Sequence, residues 1–185
     1  MKYFTISEMI HSRTAVERKI WNGCGRAEED NLTALAEQVL DPARERYGRK
    51  VTVNSGYRCP ELNSVIRGAT RSQHLRGEAA DLTTEAGPQG NLELARIIVA
   101  LGRFDQLILE NVPGTNLLPG WIHVSWKRCG GNRGQILKKV VGSSGYVAVS
   151  EAEILSGKSA QRETRKEVLS SVKSEELRVK SYGSD

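Results

Sequence analysis

Long apolar runs are missing from this chain. The most apolar stretch, Ala95 to Leu101, is interrupted by Arg96. It falls far short of the roughly 18 residues that a bilayer requires, so membrane insertion is not expected. The opening Met1-Lys2-Tyr3-Phe4-Thr5-Ile6-Ser7-Glu8 lacks a signal-peptide hydrophobic region, which predicts synthesis and folding in a cytoplasm. Cysteine is scarce: Cys24, Cys59 and Cys129 are odd in number and have no metal-ligand spacing. A disulfide framework is therefore not expected, and the thiols should be reduced. No basic run of five to eight residues occurs, so a specific nucleic-acid partner is not expected despite a net charge of +5. Internal repeats are absent as well.

What is present fits a soluble globular protein, with 38% hydrophobic and 26% charged residues in 185. That length suggests one domain and an appendage, and a monomer is expected. Residues 150–185 hold seven Lys or Arg and seven Asp or Glu, so the positive charge belongs to residues 1–149. A basic domain attracts polyanions such as an anionic cell wall. The reading is a domain over 1–149, followed by a charged, Ser-rich tail over 150–185. The tail offers too little apolar area to offset its ordering entropy and should be a frayed helix or disordered.

Thr5 with Glu8 forms a capping box and predicts a short helix to about Ser12. Leu32, Leu35, Ala36, Val39, Leu40 and Ala43 repeat at helical spacing, with Gly48 as terminator, and predict a helix over 31–47. Asp41-Pro42 should either kink that helix or start a second one. Strands are predicted at 51–53, 79–82, 106–110 and 121–126, and a helix over 91–101 with Asn91 as cap and Gly102 as terminator. Residues 135–141 and 146–149 flank Gly142-Ser143-Ser144-Gly145 and predict a hairpin.

Two of the three histidines fall in the segments that carry most information. These are Ser72-Gln73-His74-Leu75-Arg76-Gly77-Glu78-Ala79-Ala80-Asp81 and Gly120-Trp121-Ile122-His123-Val124-Ser125-Trp126. Two imidazoles and one carboxylate are what a catalytic zinc site takes from protein, leaving a position for water. Strand alternation puts His123 on one face with Trp121 and Ser125, opposite Ile122, Val124 and Trp126. Asp81 ends a small-residue strand, and Gly77 supplies a turn that returns His74 over it. With Ser55-Gly56-Tyr57-Arg58 upstream, the pattern Ser-x-His-x-x-Gly-x-Ala-x-Asp…Trp-Ile-His-Val-Ser resembles the M15 family of zinc D-Ala-D-Ala carboxypeptidases and peptidoglycan endopeptidases. The match looks closest to a short phage and prophage branch and covers roughly residues 3 to 149.

The resemblance implies an α+β fold, an antiparallel sheet with helices packed on one side and zinc in a surface cleft. It implies one zinc per chain on His74, Asp81 and His123, and hydrolysis of peptidoglycan stem peptides or cross-links. Arg58 matches an arginine near the substrate carbonyl or carboxylate; a structural salt bridge is its other reading. Several branches of the family carry an acidic residue three positions before the last His ligand, and here that position is Gly120. Glu110, ending the Gln106–Glu110 strand, is the candidate general base, ahead of Glu78 and Glu85. Ser72 and Gln73 are candidates to bind substrate or orient His74, and Trp121 to wall the cleft. His11 is recruited by no motif and should be an exposed non-ligand. Gly120 also keeps open a non-catalytic, zinc-containing wall-binding or phage-structural module. With no leader, the protein would act on the wall after lysis, phage-type release or particle assembly.

Overall fold

A computed structural model describes residues 1–113 and 117–156 of the chain. Three short helices open it: α1 (Ile6–Ile10), α2 (Arg13–Arg18) and α3 (Arg26–Leu35). The Thr5 hydroxyl accepts the Glu8 amide at 3.2 Å, as the capping box predicts, though α1 ends at Ile10. Helix α3 runs through a π turn (Ala36–Leu40) into α4 (Asp41–Tyr47), and Gly48 closes α4 at φ 71°. Pro42 thus neither kinks this helix sharply nor starts a separate one. The wider π turn, in which the Asp41 amide bonds the Ala36 carbonyl, absorbs the local misfit before proline. Asp41 is not a cap; its carboxylate accepts the Lys2 and Tyr3 amides at 2.6 and 3.0 Å and ties down the N-terminal segment.

Strand β1 (Val51–Ser55) leads into α5 (Pro60–Val65), a 3-10 turn (Gln73–Arg76) and β2 (Ala79–Thr84). Helix α6 (Gly87–Leu101) begins four residues before the predicted start, with Pro88 in its first turn. Asn91 therefore lies inside α6 and is buried. Its amide accepts the Thr84 N–H at 2.8 Å and donates to the Pro119 and Gly120 carbonyls, fastening the approach to the next strand. The remaining elements are β3 (Gln106–Val112), β4 (Trp121–Ser125), β5 (Gln135–Val140), β6 (Val147–Ala148) and α7 (Glu151–Leu155). None of the described helices is long and apolar enough to cross a membrane.

The six strands lie in the order β1-β2-β4-β3-β5-β6. The expected purely antiparallel sheet is corrected here: the sheet is mixed, because β5 runs parallel to β3. The nine residues between β4 and β5 carry the chain around the start of β3, so β5 begins beside Gln106, where β3 also begins. Asp105, fully buried, pins that crossover. It accepts the Arg133 amide at 3.1 Å, the Arg133 guanidinium at 2.6 Å, Lys127 Nζ at 3.0 Å and Gln73 Nε2 at 3.0 Å. The predicted hairpin is present as the β5–β6 pair.

Alternation divides the sheet into two faces. Ala80, Leu82, Leu107, Leu109, Ile122, Val124 and Ile136 are buried and join the core with α3, α4 and α6. Asp81, His123, Ile108 and Glu110 point the other way. The compact unit reaches Leu155, past the boundary predicted at 149. One residue accounts for this: Ile154 is fully buried, and its carbonyl accepts Arg96 Nε of α6 at 2.8 Å. The rest of the predicted tail lies outside the described residues.

Candidate metal centre and cleft

Neighbouring strands bring two of the motif residues together directly. Asp81 of β2 pairs with His123 of β4, which pairs in turn with Ile108 of β3. His74 comes from the 3-10 turn, which ends at Gly77 with φ 67°. A Cβ on Gly77 would also lie 2.5 Å from the Glu28 carbonyl oxygen, so both conformation and space require glycine.

His74 Nδ1 donates to the Gly56 carbonyl at 2.6 Å, which leaves the Nε2 lone pair facing inward. That Nε2 lies 3.2 Å from His123 Nδ1 and 3.2 Å from Asp81 Oδ1, and the His123–Asp81 distance is 3.0 Å. The other Asp81 oxygen, Oδ2, accepts Arg58 Nη2 at 2.5 Å, while Arg58 Nε donates to Ser55 Oγ at 2.8 Å. Three acceptor atoms thus surround one point, and a single proton on His123 Nδ1 cannot serve both neighbours fully. A tetrahedral zinc with bonds of roughly 2.0–2.2 Å separates its ligand atoms by about 3.3–3.5 Å, close to the edges found here. The donor set therefore fits a zinc ion held by His74 Nε2, His123 Nδ1 and Asp81 Oδ1, and it is the one such group among the described residues.

Electrostatics favour the ligand form of His74 and Asp81. Burial lowers the His74 pKa against the opposing pull of Asp81, which favours neutral imidazole. Burial pushes the Asp81 carboxyl up, but the attraction of its two imidazole neighbours outweighs it. The carboxyl is held well below the usual range.

The Ser55–Arg58 loop that supports the ligands is itself fixed by residues the sequence reading did not single out. Asn22 donates to the Ile10 and Tyr57 carbonyls and accepts the Cys59 amide at 2.7 Å. Gly56 passes so close to Met9 that a Cβ would lie 2.1 Å from its carbonyl oxygen. The paired signal was available only as a lone Asn, far from the motif.

The centre opens into a cleft of about 960 Å³ that contains every predicted site residue: Arg58, Ser72, Gln73, His74, Asp81, Glu110, Trp121 and His123. Their contacts differ from some of the expected roles. Arg58 is engaged with Asp81, as in its salt-bridge reading. Gln73 spends its amide on Asp105, anchoring the His74 turn to the start of β3. Trp121 is 36% exposed on the cleft wall. His11 is exposed and apart from the site, and all three cysteines are free.

Glu110 pairs with Trp121 across β3–β4, two positions along from Ile108–His123. This makes it a diagonal neighbour of His123 on the same face, about 7–8 Å away along the backbone. Burial raises its pKa, and Lys139 partly opposes the rise. Glu110 and Asn111 together face the single residue Lys139 of β5, forming a bulge with Asn111 at φ 56°. Gly120, where an acid was looked for, bonds the Glu110 carbonyl through its amide at 2.9 Å. A Cβ on Gly120 would lie 2.9 Å from Asn111 Nδ2.

Residues 2–125 match the family described as Peptidase M15, a span that includes His74, Asp81, His123 and Glu110. A zinc D-Ala-D-Ala carboxypeptidase of Streptomyces albus G is 40% identical over 78 residues, 42% of this chain and 29% of that protein. The chain thus aligns with under a third of that relative's length.

Proposed function

Because the chain belongs to the peptidase M15 family, we propose that it is a zinc-dependent peptidase acting on bacterial peptidoglycan, on stem peptides or their cross-links. The observation that carries this reading is the convergence of His74, Asp81 and His123 on one point beside a carboxyl of raised pKa. One zinc per chain held there supplies Lewis-acid polarisation of a carbonyl and acidification of water. Glu110 takes the proton of the attacking water and returns it to the leaving amine; its raised pKa brings it nearer the operating pH of a general base. Arg58 holds Asp81 so that only Oδ1 faces the imidazoles, and its remaining donors point a positive charge at the cleft, where a developing oxyanion gains from it. Gln73 keeps the His74 turn in register, Ser72 lines its approach and Trp121 shields one wall.

Glu110 on the ligand face argues against the non-catalytic module, whose support was Gly120 alone. The test is digestion of purified peptidoglycan by the zinc-loaded protein, with mass analysis of fragments. New amine termini at one peptide bond, absent with His123→Ala, are expected. Intact muropeptides across several wall types would reverse the conclusion in favour of a binding module.

A further inference from the structure

Strand register sets the cleft face of the sheet in two rows. Asp81, His123 and Ile108 lie opposite one another across β2, β4 and β3, and Trp121, Glu110 and Lys139 form a second row across β4, β3 and β5. Each of these side chains lines the cleft. The second row ends on Tyr146, because the pairing of Leu137 with Ala148 and of Lys138 with Val147 brings Tyr146 opposite Lys139. The Lys139 ammonium lies 5.2 Å from the centre of the Tyr146 ring, within cation–π range. Lys138 points to the other face, where its charge reaches Glu153 of α7.

Glu110 thus stands between an indole on β4 and an ammonium on β5, with the ammonium on the side away from His74, Asp81 and His123. The β3 bulge sets Lys139 at one remove, since Glu110 and Asn111 together oppose it. Lys139 acts on Glu110 through its charge without closing an ion pair. A closed pair would occupy the carboxylate oxygens that have to accept a proton, whereas a cation at one remove leaves them free. Burial disfavours the charged carboxylate. Of the charged groups that face it, Asp81 adds to that effect, while Lys139 and, less strongly, His123 oppose it. A metal-bound imidazole is neutral and Arg58 is engaged with Asp81, so Lys139 is the side-chain cation that acts on Glu110.

We propose that Lys139, seated over Tyr146, is a positioning residue that keeps the Glu110 carboxylate charged and so sets the lower pH limit of hydrolysis. This rests on the peptidase reading above and extends it to the β5–β6 hairpin, which carries neither a metal ligand nor the base. The hairpin also lies beyond residues 2–125, the span of the family match. The working pH range is therefore set from a part of the chain separate from the one that supplies the reacting groups.

The test compares the full-length wild type with Lys139→Gln, Lys139→Arg and Tyr146→Ala at equal zinc content, so that the charge of the metal cancels. The Glu110 carboxyl is titrated directly by NMR, its signal identified by its loss in Glu110→Gln, and the pH profile of kcat/KM is measured on peptidoglycan stem peptides. Without the neighbouring cation the carboxylate is less favourable. In Lys139→Gln the titration midpoint and the acid limb should therefore both move up, by roughly 0.5–1 pH unit for a near charge at a half-exposed site. Lys139→Arg should restore the wild-type values, and Tyr146→Ala, which unseats the ammonium, should move them part of the way. Added salt should raise the wild-type midpoint by screening the attraction, with little effect in Lys139→Gln. A midpoint unmoved in Lys139→Gln, or moved as far in Lys139→Arg, would overturn the proposal, and continued hydrolysis would leave the peptidase standing. The expected midpoint shifts without hydrolysis of any stem peptide would keep the coupling of Lys139 to Glu110 and remove the peptidase. A wild-type midpoint in Tyr146→Ala would remove the ring from the device.

Discussion

Asp105→Asn tests whether the crossover that makes the sheet mixed also supports the metal centre. The wild-type carboxylate is fully buried and receives Arg133, Lys127 and Gln73. Breaking a buried ion pair from one side costs about 3–5 kcal/mol. The partners reduce this, because the Arg133 side chain is 50% exposed and can rehydrate its charge. A loss of about 2–3 kcal/mol is expected, which lowers Tm by roughly 4–12 °C in a domain of this size. The pH dependence has a definite sign. Burial raises the Asp105 pKa, but its hydrogen bonds from Arg133 and Lys127 outweigh that and hold it well below the usual range. A depressed carboxyl contributes stability that is complete above its unfolded value of about 3.9 and fades as pH falls toward the folded value. Thermal melts of both proteins should therefore differ most near neutral pH and converge below about pH 4. Because Gln73 precedes His74, zinc affinity should also fall, by about tenfold, near the low end for groups that orient ligands. A variant melting within 1 °C of wild type at pH 7, or a gap that widens in acid, would refute the reasoning.

His74→Ala and His123→Ala should each abolish stoichiometric zinc on metal analysis of purified protein, with zinc retained in both refuting the ligand set. Glu110→Gln should keep zinc and lower kcat by at least the ~10²-fold typical of a lost general base. Since burial raises the Glu110 pKa, the acid limb of the wild-type kcat/KM profile should lie above the ~4.3 of an ordinary glutamate; a limb at or below that value would point to another base. Ile154→Ala should cost about 2–5 kcal/mol as a buried truncation, and removal of everything after Ser150 should lower Tm at least as much. A truncation without thermal effect would return the domain boundary to 149.

The convergence of His74, Asp81 and His123 was legible because their spacing is local to strands. Alternation alone assigns His123 a face opposite Ile122 and Val124, and Gly77 announces the turn that returns His74. Glu110 was legible for the same reason, as the polar end of an apolar strand. Asp105 was not: its partners Gln73, Lys127 and Arg133 are scattered along the chain and meet only after β5 has crossed the start of β3. Strand direction there depends on a nine-residue connection whose path no residue pattern specifies. Asn91 was misplaced because Asn is a good cap, whereas burial against Thr84 and the Pro119–Gly120 backbone made it a brace. Ile154 was overlooked because one isoleucine in a charged segment carries little periodic signal, although a single buried side chain suffices to dock a short helix.

The position of the proposed base is tied to contacts at one point of the sheet. Any side chain at 120 would press on Asn111, whose left-handed backbone creates the β3 bulge. Bulges turn the side chains beside them and concentrate near active sites. Here the bulge carries Glu110 on the cleft face and takes up the space that an acid at 120 would need. A side chain at 120 would have to displace the Asn111 amide, so glycine at 120 suits the bulge that accompanies Glu110. Gly120→Ala tests this. It should cost about 1–3 kcal/mol as an overpacking change and, by displacing Asn111, lower kcat while leaving zinc bound. Adding Asn111→Gly, which removes the obstructing side chain and keeps a residue suited to positive φ, should recover most of both losses. A double variant no better than Gly120→Ala alone would show that Glu110 is placed by something other than this contact.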